Sequence, residues 1–215
     1  MNDVQKSFSL GLWAVLVVGM LGLIGAGLLA TRSQGRDSAA APKAVEQSEE
    51  LTTYFEAPTF ELINQNGATV RSQDLRGNIW VAAFVFTHCK GPCPMMTGKL
   101  AKLQKLVPDP KIKLVSFSVD PGRDTPDALK TYADRLGADH SKWYFLTGTK
   151  AAADAVSAGF KLALVRGENP DEIIHGEKFL LVDSQGQVRG IYSSGLEEDL
   201  QRLTRDANTL ASKIP

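Results

Sequence analysis

The sequence of 215 residues has no surplus of either charge, only two cysteines and only three histidines. Each shortage excludes something. With 24 basic side chains against 24 acidic ones, the chain lacks the basic excess of a general nucleic-acid binder. Two cysteines cannot furnish a four-thiolate zinc site or a disulfide-rich scaffold. No internal repeat is present, no peroxidatic motif stands out, and no Arg- and Ser-rich presequence precedes the first apolar run. The length suits one ordinary domain plus accessory sequence and is short for two.

What is present begins with that apolar run. Residues Phe8 to Ala30 carry no charged side chain, and 17 of the 23 are hydrophobic. At 1.5 Å of rise per residue this stretch is long enough to cross a bilayer, and it exceeds the roughly 7–15 residues of a secretory signal core. A retained single-pass anchor over 8–30 is expected, behind a short tail over 1–7. Lys6 lies before the run and Arg32 and Arg36 after it, so the positive-inside rule does not choose an orientation. Residues 31–53 are rich in Ala, Ser, Gln and Glu without apolar periodicity and read as a flexible tether. With the anchor set aside, hydrophobic residues still make up roughly 39% of the remainder, enough for a globular core over 54–215.

Within that domain, Thr59–Ile63 alternates as a strand does, and Asn66-Gly67 signals a hairpin turn into Ala68–Val70. Ile79–Phe86 is a continuous apolar run of eight, as expected of a central strand buried on both faces. Pro94 suits the first turn of a helix whose apolar face is Met96, Leu100, Leu103 and Val107. Lys111–Val119 reads as a strand. Thr125-Pro126 opens a helix that Gly137 closes, with Leu129, Tyr132, Ala133 and Leu136 facing inward. Trp143–Leu146 is a short strand, and Thr149 caps a helix to Ala158. Phe160–Val165 and Lys178–Asp183 are strand candidates; the second turns through Ser184-Gln185-Gly186 into Gln187–Tyr192. Leu196, Leu200, Leu203, Ala207 and Leu210 mark a last helix. The order predicts an α/β fold, a central mixed β-sheet flanked by helices, with an antiparallel edge.

Both cysteines lie between the most apolar strand and the helix after it, in Cys89-Lys90-Gly91-Pro92-Cys93-Pro94. Sites in open α/β sheets gather at such carboxyl ends of strands. Cys93 is expected at or near a helix N-cap, where the dipole favours a thiolate. Two thiols of lowered pKa in reach of each other form a redox disulfide or grip a soft metal. A short stapling disulfide is the plain alternative, though it stabilises little. A metal would need a further ligand. His88 adjoins Cys89, His140 sits in a polar turn and is expected to be solvated, and His175 is expected at the head of a strand reaching Phe179. Met95 and Met96 are soft enough for copper, but Met96 falls on the core stripe.

Phe86-Thr87-His88-Cys89-Lys90-Gly91-Pro92-Cys93-Pro94 resembles the F-T-x-C-x-x-x-C-P signature of the Sco/SenC family. Ser118-Val119-Asp120-Pro121-Gly122-Arg123-Asp124-Thr125-Pro126 is similar to its S-V-D-P-x-R-D-T-P segment, and Trp143-Tyr144-Phe145-Leu146-Thr147-Gly148 to its W-x-x-L-T-G stretch. The resemblance runs from about Pro58 to Leu203. It implies a thioredoxin-like fold and copper, as Cu(I) or also Cu(II), held by Cys89, Cys93 and a distal histidine, by position His175. The chain departs from the family pattern in two places. Ile174-His175-Gly176 stands where Asp-His-Ser/Thr is usual, and Lys90-Gly91-Pro92 where Pro-Asp-x is commoner.

Two thiolates and an imidazole suit Cu(I), whereas zinc would want a fourth ligand. The resemblance therefore implies a membrane-anchored, non-enzymatic copper chaperone. It would assist assembly of the cytochrome c oxidase copper centre, with that copper-site subunit and a copper donor protein as partners and no nucleic acid. A bacterial inner membrane with the domain in the periplasm is expected. The other readings are a thiol–disulfide oxidoreductase, in which Cys89 attacks and Cys93 resolves, and a redox or copper sensor.

Overall fold

The computed structural model describes residues 51–89, 91–166 and 173–215, which belong to one compact unit, Glu49–Pro215. The expected anchor over 8–30 and most of the tether lie outside the described residues. Among the described residues no helix is long and apolar enough to cross a membrane.

The sheet grows outward from the apolar run. It becomes β4 (Ile79–Val85), buried at every position. Its side chains alternate between two cores, as a strand's must. Ile79, Val81, Ala83 and Val85 point into one; Trp80, Ala82, Phe84 and the following Phe86 point into the other. Parallel pairing joins β4 to β5 (Ile112–Ser118) and β5 to β6 (Trp143–Thr147). Helix α1 (Cys93–Leu106) makes the first crossover and α2 (Pro126–Arg135) the second. Met96, Leu100 and Leu103 of α1 and Leu129 and Ala133 of α2 enter the same core, so both helices cover one face.

The other strands are antiparallel. On one side β2 (Glu61–Asn64) pairs with β6 and with β3 (Thr69–Arg71). Their turn holds because Asn64 Oδ1 accepts from the Asn66 and Ala68 amides, and Gly67 takes the left-handed φ of +77°. On the other side β9 (Lys178–Val182) pairs with β4, then β10 (Gln187–Ser193), then β1 (Phe55–Glu56). The order across the eight strands is β1-β10-β9-β4-β5-β6-β2-β3, a mixed sheet with antiparallel edges as expected. Helix α3 (Lys150–Gly159) covers the second face through Val156, and α4 (Glu197–Ala211) returns to the first through Leu200, Leu203, Ala207 and Leu210. Thr125 and Thr149 cap their helices by accepting from Ala128 N and Ala152 N.

Three expectations are corrected. Phe160 opens no strand; it ends α3 in the aromatic core, and Lys161 turns the chain with a φ of 58°. Only Leu164–Arg166 is extended, as β7, and it pairs with β8 (Ile173–His175) in a separate two-stranded sheet. His175 therefore ends β8 and does not head β9, because Gly176 and Glu177 break the chain before Lys178. Leu196 precedes α4 as its exposed N-cap residue and stays off its inner stripe.

Candidate functional site

The loop between β4 and α1 sits at the carboxyl end of the most buried strand; it carries Cys89 and leads directly into Cys93. Cys93 is the first residue of α1, after Pro92 in the N-cap position. Its side chain turns away from the α1 core into the aromatic one, among residues that include Phe84 and Phe86. It is fully buried, whereas Cys89, on the loop, is half-buried against the same cluster. Both are free thiols. Burial pushes the Cys93 thiol far up, and a hydrogen bond with the Cys89 side chain adds to the shift.

For Cys93 that direction reverses the expectation of a lowered pKa. A helix N-terminus stabilises a thiolate by a fraction of a charge spread over exposed amides. Desolvation among phenyl rings opposes it and is the larger effect here. Cys93 rests as a neutral thiol.

His175 reaches the same sulfur from the other side. Its Nε2 lies 3.4 Å from Cys93 Sγ, and its ring stands edge-on to Phe86, with centroids 6.0 Å apart at 80°. The other ring nitrogen, Nδ1, lies 3.4 Å from the Gly176 carbonyl oxygen, which orients a proton there and leaves Nε2 as a lone pair facing the thiol. At 8% exposure the ring is buried, and burial pulls its pKa down. A neutral imidazole with a free Nε2 is the form that binds metals. Cys93 thus touches both of the other two predicted residues. Among the described residues, though, no three His, Cys, Asp or Glu side chains are drawn together tightly enough to hold an ion as they stand.

The remaining candidates separate from this centre. His88 is exposed, with Nδ1 3.0 Å from Thr87 Oγ1. His140 is not simply solvated: Nε2 lies 2.8 Å from Asp134 Oδ1, and Nδ1 lies 3.1 Å from Gln65 Nε2. Gln65 in turn bonds the backbone of Trp143 and Phe145, which makes His140 part of a structural bridge. Met96 is buried in the core as expected, while Met95 stays 48% exposed on the first turn of α1. Asp124 was not singled out among the chemical candidates, yet its fully buried carboxylate bonds Thr87, two residues before Cys89. Its marks in the sequence are its place in the Ser118–Pro126 segment and its position directly before the Thr125-Pro126 cap.

Residues 48–211 match the model of the SCO1/SenC family. The chain belongs to the SCO1/SenC family. The SCO1 protein homolog of Bacillus subtilis (strain 168) is 34% identical over 164 residues, covering 73% of this chain and 84% of that one. Among solved structures, BsSco is described as a member of the Sco family of cytochrome c oxidase assembly proteins and as having a disulfide switch. It superposes with a TM-score of 0.68 at 30% identity, over 78% of this chain and 99% of its own. ScoI of Bradyrhizobium japonicum, solved with copper bound, gives a TM-score of 0.59 at 25% identity, over 70% and 98%. The α/β architecture described above is therefore the Sco architecture, and the cysteine loop lies inside the matched span.

Proposed function

We propose that this SCO1/SenC chain is a membrane-anchored copper chaperone, with copper as its cargo. The ligands are Cys89, Cys93 and His175. The observation that carries this reading is the single buried sulfur of Cys93, in contact with the Cys89 thiol on one side and His175 Nε2 on the other. Two sulfurs and one neutral imidazole are a soft donor set that matches Cu(I), and the copper held by the Bradyrhizobium relative supports the choice of metal. Loading displaces the thiol protons, and Cys89 and His175 close onto Cys93 as the ion enters. Copper then passes to the copper site of cytochrome c oxidase, an assignment supported by the family to which BsSco belongs. Residues 8–30 hold the chain in a bacterial inner membrane, and residues 31–53 let the domain work in the periplasm near its membrane-bound acceptor. A separate protein supplies the copper.

One observation favours a second activity of the same pair. A half-buried Cys89 beside a buried Cys93 is the arrangement of an attacking and a resolving thiol, and BsSco carries a disulfide switch. The two readings separate on His175, which copper needs and thiol exchange does not. The test is competitive titration of the reduced chain, in detergent micelles, with Cu(I) against a colorimetric chelator. One Cu(I) per chain, weakened by His175→Ala, is expected. A variant with undiminished affinity contradicts the three-ligand site, and reductase activity without copper uptake leaves the exchange reading alone.

A further inference from the structure

The segment Ser118–Pro126 carries a family motif, but copper ligation gives it no task. Its geometry points to one: we infer that Asp124 is a positioning residue that sets the Cys89 side of the site through Thr87.

The backbone explains why such a residue is needed. The parallel ladder between β4 and β5 ends where the Val119 amide donates to the Val85 carbonyl at 3.0 Å. Past that bond the chain of β4 must leave the sheet and turn, within four residues, into the cysteine loop. The Thr87 amide is the donor left at the point of departure, and Asp124 accepts it, at 3.1 Å to Oδ1 and 3.3 Å to Oδ2. The Thr87 hydroxyl donates to the same Oδ1 at 2.6 Å. On the other side, Ser118 Oγ donates to Oδ2 at 2.6 Å and itself accepts from the Asp120 amide at 3.1 Å. Asp124 is fully buried and joins the ends of β4 and β5 to the start of α2. Hydrogen bonds to a buried carboxylate are among the stronger ones, and leaving a partner unsatisfied is costly.

The consequence reaches the cysteines because Thr87 fixes where the loop starts. Cys89 N bonds the Phe86 carbonyl at 3.3 Å, so Phe86, Thr87 and Cys89 form one short turn. Phe86 in turn faces His175. Holding Thr87 presents the Cys89 thiol to Cys93 at a high effective concentration, which favours both sulfur–sulfur closure and capture of a shared metal. The Asp124 carboxylate bonds Thr87 and Ser118. It acts on the cysteines through Thr87, whereas its bond to Ser118 serves the end of β5.

This division is testable, and it rests on the reading of Cys89 and Cys93 as the working pair. The full chain in detergent micelles is equilibrated with glutathione buffers. Two thiols lose two electrons and two protons to one glutathione disulfide, giving the Cys89–Cys93 disulfide and two glutathione thiols. Cu(I) affinity and thermal midpoint are measured in parallel. Asp124→Asn and Thr87→Val are expected to shift the exchange equilibrium about tenfold toward the dithiol, equivalent to about 30 mV. They are also expected to weaken Cu(I) by about tenfold. Thr87→Ser, which restores the hydroxyl, is expected to return both values to those of the wild type. Ser118→Ala is expected to lower the thermal midpoint alone. If Asp124→Asn does not fold, the two Thr87 variants decide. The inference is overturned if folded Asp124→Asn and Thr87→Val keep the wild-type potential and affinity, or if Ser118→Ala shifts the potential as far as they do. A wild type that neither cycles nor takes up copper breaks the reading of the pair itself, a separate failure.

Discussion

Cys89 and Cys93 hang from the centre of an eight-stranded sheet, whereas His175 ends a three-residue strand in a separate sheet of two. The cysteine side is fixed by the β4–β5 ladder, the first turn of α1 and the Asp124 carboxylate. The histidine side rests on three paired residues and on contacts of Leu162, Leu164 and Ile173 with the aromatic core. The difference teaches that the proposed site joins a part built into the fold to a part laid against it. Damage on the cysteine side should cost stability as well as binding. Damage on the histidine side should cost binding with little loss of stability.

The strongest way to break that contrast is to excavate the core beneath the cysteines. Phe84 is buried, stacked on Phe117 at 5.3 Å and edge-on to Phe160 at 5.7 Å. Phe84→Ala is expected to lose about 3–5 kcal/mol in urea unfolding, and a loss below about 1 kcal/mol would show that the aromatic core is not what holds this end of the sheet. His175→Ala probes the other side. It is expected to weaken Cu(I) about 10–100-fold while unfolding within about 1 kcal/mol of wild type; a larger loss of stability would make the β7–β8 sheet part of the fold's foundation.

A subtler probe is pH. Burial holds the Asp124 carboxyl above the usual carboxylate range, against the hydrogen bonds from Ser118 and Thr87 that pull it down. The native state therefore binds more proton than the unfolded chain between the unfolded pKa of about 3.9 and the higher folded one. This contribution to stability is complete below the unfolded pKa and is lost as pH rises through the folded value. Asp124→Asn is expected to remove that decline from the profile of stability against pH, and an unchanged profile would assign it to another group. The smallest effect is expected at Gly176, where an added Cβ would meet Leu162 Cδ2 at 2.9 Å. The tip of a leucine can turn aside, so Gly176→Ser, which brings the chain closer to the family pattern, should change copper affinity only a few-fold. A fold-level loss would mean that the histidine strand tolerates no adjustment.

How much of this was legible in the sequence follows from the length of each signal. The eight apolar residues from Ile79 to Phe86 mark the central strand, and the two Thr caps with their following helices are plain. The cysteine loop follows from them. The strands flanking His175 are too short for alternation to show, so its nearness to Cys93 was legible only through the family resemblance, and its place in the strand order was misread. The Cys93 proton was misjudged for a related reason. Local sequence shows the helix start that lowers a thiol pKa, but not the phenyl rings that cover it and raise it. Asp124 was hidden because a carboxylate beside Arg123 and Thr125 looks like a surface residue until the ends of β4 and β5 are brought together.

The central claim is that one buried sulfur is shared between a second thiol and an imidazole. The most direct test is X-ray absorption at the copper edge of the reduced chain loaded with one equivalent of Cu(I). Two sulfur scatterers and one nitrogen are predicted, with the nitrogen absent from His175→Ala. A two-sulfur spectrum that His175→Ala leaves unchanged would contradict the account.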